Sequence, residues 1–160
     1  MHGILRLLLL SVLAVFPPIV TAFTTVNVRV AVVVPPPCVI NDGNPILVDF
    51  EEVMTTRIDG NNYRKKVNYT LSCTGVTSLL VKLRLVGNGA GFDSTLLGTS
   101  VDGLGIELLQ GNNIKLPLNG WVNFMYMRPP ELWAVPVKRD GAVLKGGVFY
   151  AAATMELAYQ

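Results

Sequence analysis

Leu79-Leu80-Val81-Lys82-Leu83-Arg84-Leu85-Val86 is the stretch whose reading decides the fold. Leu79, Val81, Leu83 and Leu85 fall on one side of an extended chain and Lys82 and Arg84 on the other, which is the period of a half-buried strand and not of a helix. The segment before it repeats the pattern: Val67, Tyr69, Leu71 and Cys73 share a face, with Asn68, Thr70 and Ser72 opposite. Outward from this pair, strands are expected over residues 46–53, 105–109, 122–126, 131–138 and 148–159. Turn-forming clusters separate the strands: Asp59-Gly60-Asn61-Asn62, Gly87-Asn88-Gly89, Gln110-Gly111-Asn112-Asn113 and Asp140-Gly141. No sustained helical period interrupts the series. Short strands punctuated in this way predict an antiparallel all-β sandwich, with a lipocalin-like barrel as the weaker alternative because the strands are uneven in length.

Composition narrows the chemistry. The chain has 160 residues, of which 51% are hydrophobic and 15% charged, with a formal net charge of +2. That charge is too small to hold nucleic acid, and the hydrophobic content excludes a disordered tail. Residues 1–22 read as a secretory signal peptide: Arg6 near the start, an apolar run from Leu7 to Phe16, and Val20-Thr21-Ala22 before the expected cleavage. A membrane anchor is the rival reading, but Pro17-Pro18 interrupts the run short of the roughly 18–20 apolar residues a span needs. Removing 22 of the 160 residues leaves 138, with 12 basic side chains against 11 acidic. The single histidine, His2, leaves with the leader, and histidine-based catalysis and metal ligation go with it. Neither a metal nor another cofactor is expected.

Export also frames Cys38 and Cys73, the only two cysteines. In an oxidising compartment such a pair forms a structural disulfide. The rival, a redox pair, lacks both the close C-x-x-C spacing and a surrounding βαβ pattern.

Two segments do not suit a self-sufficient sandwich. In residues 23–34, Val26, Val28, Val30, Val32 and Val34 line one face of an extended strand, with Asn27, Arg29, Ala31 and Val33 on the other. Pro35-Pro36-Pro37 follows, a stiff spacer that detaches the strand from what comes next. It can be an ordinary first strand of its own domain, or a strand meant for another sheet. At the other terminus, Phe149, Ala151, Ala153, Met155, Leu157 and Tyr159 alternate up to Gln160, leaving no chain to cover that strand's edge.

These residues resemble the pilin subunits of bacterial chaperone–usher pili, most of all the minor tip-fibre subunits of P-type pili. The likeness rests on Val26-Asn27-Val28-Arg29, on Pro36-Pro37-Cys38-Val39-Ile40-Asn41-Asp42-Gly43, and on Ile46-Leu47-Val48-Asp49-Phe50. The strand from Val67 to Cys73, Gly146-Gly147 and the penultimate Tyr159 extend it over the whole mature chain. The resemblance implies an incomplete immunoglobulin-like β-sandwich lacking its final strand (residues 38–160), preceded by an N-terminal donor-strand extension (residues 23–37). Val26, Val28, Val30, Val32 and Val34 would enter a neighbour's groove. Gly147, Phe149, Ala151, Ala153, Met155, Leu157, Tyr159 and Gln160 would form the edge of this chain's own groove and the segment a chaperone holds. The implied partners are a periplasmic pilus chaperone, an outer-membrane usher and neighbouring pilin subunits or a tip adhesin, with no nucleic acid and no small-molecule substrate. The implied location is a cell-surface fimbrium of a Gram-negative bacterium, and the implied role is a non-enzymatic adaptor in or near the tip. A terminating subunit at the pilus base and a carbohydrate-binding adhesin are the alternatives. Where the family's donor strands carry a glycine, alignment on Arg29 places Val30.

Other constellations carry less. Gly87-Asn88-Gly89-Ala90-Gly91 has no following lysine and reads as a hairpin loop rather than a phosphate cradle. Asp49, Glu51 and Glu52 read as a solvated edge, and Arg64-Lys65-Lys66 as an exposed rim. Trp121, Trp133 and Tyr126 could stack on a sugar, although core packing is the commoner fate of such rings.

Overall fold

The expected alternation around Leu83 is realised in a computed structural model, which describes residues 38–75 and 80–160. The leader, the valine strand and its prolines lie outside the described residues, as does Leu79. β4 (Leu80–Gly87) buries Val81, Leu83 and Leu85 while Lys82 and Arg84 face outward. It lies at the centre of a three-stranded sheet, between β11 (Ala153–Tyr159) and β9 (Val122–Met125).

The facing sheet has six strands. β7 (Leu104–Gln110) pairs with β10 (Leu132–Lys138), which pairs with β2 (Lys65–Val67). On its other side β7 pairs with β6 (Asp93–Gly98) and β8 (Ile114–Lys115), and β6 with β5 (Gly89–Ala90). Pro136 sits within β10, where a missing N–H would normally break a ladder. It is accommodated because β2 pairs only with Leu132 to Ala134, so β10 is an edge on that side at Pro136. The core forms between the sheets: Leu83 and Leu85 from one meet Leu97, Ile106, Leu108, Leu132 and Ala134 from the other.

Two strands stand apart. β1 (Cys38–Ile40) and β3 (Leu71–Cys73) form a two-stranded ribbon with Cys38 directly opposite Cys73. The continuous strand expected over residues 67–73 is therefore split: Val67 ends β2 in the large sheet, and Leu71 opens β3 in the ribbon. The alternation of faces holds through the break, with Asn68, Thr70 and Ser72 exposed. Between the two strands the Tyr69 hydroxyl donates to the Pro130 carbonyl at 2.6 Å, and burial pushes its pKa up.

The glycine-rich stretch is a hairpin only in its second half, where Gly91 lies in the turn between β5 and β6; its first half is a corner. β4 ends at Gly87 in one sheet and β5 begins at Gly89 in the other, so the chain changes sheets at Asn88. Corners of this kind bring backbones close. A Cβ on Gly89 would lie 2.8 Å from the Cα and carbonyl oxygen of Ser94. Gly89→Ala should therefore destabilise the fold by about 1–3 kcal/mol, read as a lowered midpoint in thermal or urea unfolding.

Candidate functional site: an open groove beside the C-terminal strand

Two extended segments have no strand partner among the described residues. The first is residues 44–50; the strand expected over 46–53 stops short there, because the chain turns at Glu51, whose φ is 57°. Ile46, Val48 and Phe50 pack against the core, while Leu47, Asp49 and Glu51 face solvent. The second is residues 144–152, so that the strand expected from residue 148 enters a ladder only at Ala153. Its Phe149 packs against the core, and Val148 and Tyr150 face solvent. Side chains alternate in both segments around Val48 and Phe149, and neither joins a ladder among the described residues.

An open groove of about 560 Å³ separates them. Ile46, Val48 and Phe50 form one wall; Phe149, Ala151, Ala153 and Met155 form the other; the floor is the core itself, through Leu85, Leu97, Ile106 and Leu108. A second compartment of about 550 Å³ continues past Val48, Phe50 and Phe149 toward Ile58, Leu104, Gly146 and Gly147. The Phe50 and Phe149 rings meet where the compartments join, with centroids 5.9 Å apart. The floor residues are buried, while Ile46, Val48, Phe50 and Phe149 in the walls are only partly so, and the apolar lining suits apolar material.

The backbone along one side is equally unfinished. β11 pairs with β4 through its even-numbered residues, Thr154 opposite Val86 and Glu156 opposite Arg84. The Gln160 amide continues that side onto the Leu80 carbonyl at 3.3 Å. Further back, Tyr150 is pinned the same way: its carbonyl accepts from the Ser100 amide at 2.9 Å, and its amide donates to the Ser100 hydroxyl at 3.1 Å. Backbone groups alternate in direction along a strand. Ala153, Met155 and Leu157 therefore turn theirs to the opposite side, the outer edge of β11, where no strand of the described residues lies. Their side chains point toward the core from the same positions. An open ladder edge beside an apolar trough is the geometry of strand addition.

The far end of β11 is fixed to the disulfide. Cys38 and Cys73 are bonded. A disulfide sulfur carries no proton, so the Tyr159 hydroxyl donates to Cys38 Sγ at 2.8 Å. From the other side the Tyr126 hydroxyl accepts the Cys73 amide at 3.1 Å.

The C-terminal residues singled out in the sequence thus fall in one line. Gly147 lies in the second compartment at φ 146°, Phe149 joins the two, Ala151, Ala153 and Met155 line the first, and Leu157, Tyr159 and Gln160 carry the strand to its end. Val26, Val28, Val30, Val32 and Val34 lie outside the described residues. Sequence reasoning missed the opposite wall. The alternation of Ile46, Val48 and Phe50 was visible, but nothing in it said that the strand would have no partner.

The aromatic residues do not form a platform. Trp133 stands on the outer face of the large sheet with the Arg64 guanidinium 4.2 Å from its ring, and Trp121 lies by the smaller sheet under Arg84 and Lys82 at 4.5 and 4.9 Å. Both tryptophans are therefore capped by cations, neither stacked together nor packed in the core as expected. Tyr126 is engaged at the disulfide ribbon. The acidic and basic clusters behave as surface: Glu51 pairs with Lys65 at 3.1 Å and Glu131 with Lys66 at 2.7 Å. The lysine holds the Glu131 carboxyl below the usual carboxylate range.

A two-sheet β-sandwich with a groove that, among the described residues, lies open along its last strand is the architecture of a pilin subunit. The chain belongs to the Fimbrial protein family, whose model matches residues 25–160. It is 38% identical over 136 residues to the fimbrial-like protein YfcR of Escherichia coli K12, covering 82% of this chain and 78% of that one. With the fimbrial adapter PapF of Escherichia coli it shares 28% identity over 152 residues, 88% of this chain and 90% of PapF. Among solved structures it is similar to the P pilus adaptor subunit PapF, with a TM-score of 0.60 and 25% identity across 79% of this chain and 98% of that one. The protein is therefore an incomplete immunoglobulin-like pilin, a subunit of cell-surface fimbriae.

Proposed function

We propose that this chain is a minor adaptor subunit, in or near the fimbrial tip, that polymerises by donor-strand exchange. The observation that carries the reading is the open edge of β11 beside a groove floored by the core. An extended strand with apolar residues at every second position satisfies both, bonding to the edge and filling the trough. In the periplasm a chaperone lends that strand and holds the end of β11 near Tyr159 and Gln160. At the outer-membrane usher a neighbouring subunit's extension replaces it. Residues 23–34, with Val26, Val28, Val30, Val32 and Val34 on one face, are the strand this chain gives in turn. The likeness to PapF supports the adaptor role, and an open groove supports a subunit that accepts a following strand over one that terminates the fibre. Nothing in this cycle asks for catalysis, since the gain comes from apolar burial and a backbone ladder.

Deleting residues 23–34 tests the assignment. The shortened chain should still fold and co-purify from the periplasm with its chaperone, yet fail to join the subunit ahead of it. Loss of folding would show that the segment belongs to this chain's own domain.

A further inference from the structure

The groove's walls also carry apolar side chains that stay largely exposed: Leu47, and Val148 and Tyr150 at the rims of the two compartments. Leu47 on one wall is 87% exposed, and Val148 and Tyr150 on the other are 92% and 73% exposed. Single apolar residues on a surface need no explanation. These three differ because they occupy the two segments that lack a strand partner, on opposite sides of the same trough, all turned to the solvent face. The wall bearing Tyr150 is held in place, its amide and carbonyl both bonded to Ser100. A strand laid between the walls carries its own outward side chains into the gap between Leu47 and the Val148–Tyr150 pair. Cross-strand neighbours on one face of a sheet sit about 4.5–5.5 Å apart at Cβ, close enough to pack.

We propose that the incoming strand is read on both of its faces. Inward residues fill the groove, and outward apolar or aromatic residues pack between Leu47 on one side and Val148 and Tyr150 on the other. The favoured occupant is an extended strand of another subunit that is apolar inward and carries at least one large apolar side chain outward. The inference rests on the strand-acceptor reading above and adds a second criterion by which this subunit selects its neighbour.

The test uses the full chain purified from the periplasm and two synthetic peptides of residues 23–34 that keep all five valines. One carries Asn27→Tyr and Ala31→Tyr, the other Asn27→Ser and Ala31→Ser; adduct formation is followed by native mass spectrometry. The tyrosine peptide should seat about fivefold more tightly on the unaltered chain, as expected for two added cross-strand pairs. Leu47→Ser with Tyr150→Ser should bring that ratio close to unity, and Val148→Ser alone should lower it in part. If neither peptide seats, the groove is not a strand acceptor and both readings fall. If both seat but the ratio is unity, or is unchanged by the serine substitutions, strand acceptance stands and reading of the outer face is overturned.

Discussion

A chain that carries a second copy of residues 23–34 after Gln160, joined by a short flexible linker, is expected to purify as a monomer that melts more than about 10 °C above the unextended chain. β11 ends at Tyr159, so a tight turn lets the added strand run back antiparallel along the edge of β11 that pairs with no strand among the described residues. Its valines then cover Phe50, Phe149, Leu85 and Leu97, each side chain gaining roughly 1.5–3 kcal/mol gross, against about 1–2 kcal/mol for every residue ordered. The backbone ladder and the covering of the partly buried walls at Phe50 and Phe149 decide the sign in favour of the filled state. Size-exclusion chromatography and thermal unfolding measure the outcome. The same extension with all five valines replaced by serine should give no gain. A gain from both versions would mean that the tail acts without entering the groove.

The second large effect concerns the disulfide. Replacing Cys38 and Cys73 together by serine opens a loop of sequence separation 35. Closing such a loop is worth about 3–4 kcal/mol in the chain-entropy model. A domain's whole stability is only about 5–15 kcal/mol, so the loss is severe. The expected result is a fall in melting temperature of about 10–15 °C and a sharp drop in periplasmic yield. A reductant should reproduce the shift in the unaltered chain and have no effect on the double variant. An unchanged melting temperature would show that pairing in β1 and β3 holds the ribbon without the bond.

What the sequence made legible follows from what alternation can encode. β4 could be read because Val81, Leu83 and Leu85 are buried on one side only; β7 and β10, which bury residues on both faces, were placed to within a residue as apolar runs between turn clusters. β6 escaped because Leu96 and Leu97 are buried in succession, after the polar Ser94 and Thr95, and no period of two survives there. Alternation also says nothing about partners. It could not reveal that residues 67–73 divide between two sheets, or that the glycines at 87 and 89 form a corner. The tryptophans were misjudged by residue type where parity would have served: Leu132 and Ala134 are buried, so Trp133 between them must face outward. Half of the site was legible: the alternation of Phe149, Ala151, Ala153 and Met155 marked one wall, whereas the wall at Ile46, Val48 and Phe50 became visible only when the fold left it unpaired among the described residues.

The contact between Tyr159 and Cys38 has a mechanical meaning. In a fibre of such subunits, tension drawn through the residues before Cys38 enters the domain at that residue. There it meets a covalent bond to Cys73 and, through the Tyr159 hydroxyl, the end of the strand whose free edge borders the groove. Load passed to the end of β11 runs along its axis, so the ladders beside it are sheared together rather than peeled open one bond at a time. On the donor-strand reading proposed above, the point of load and the strand beside the groove would share one clamp.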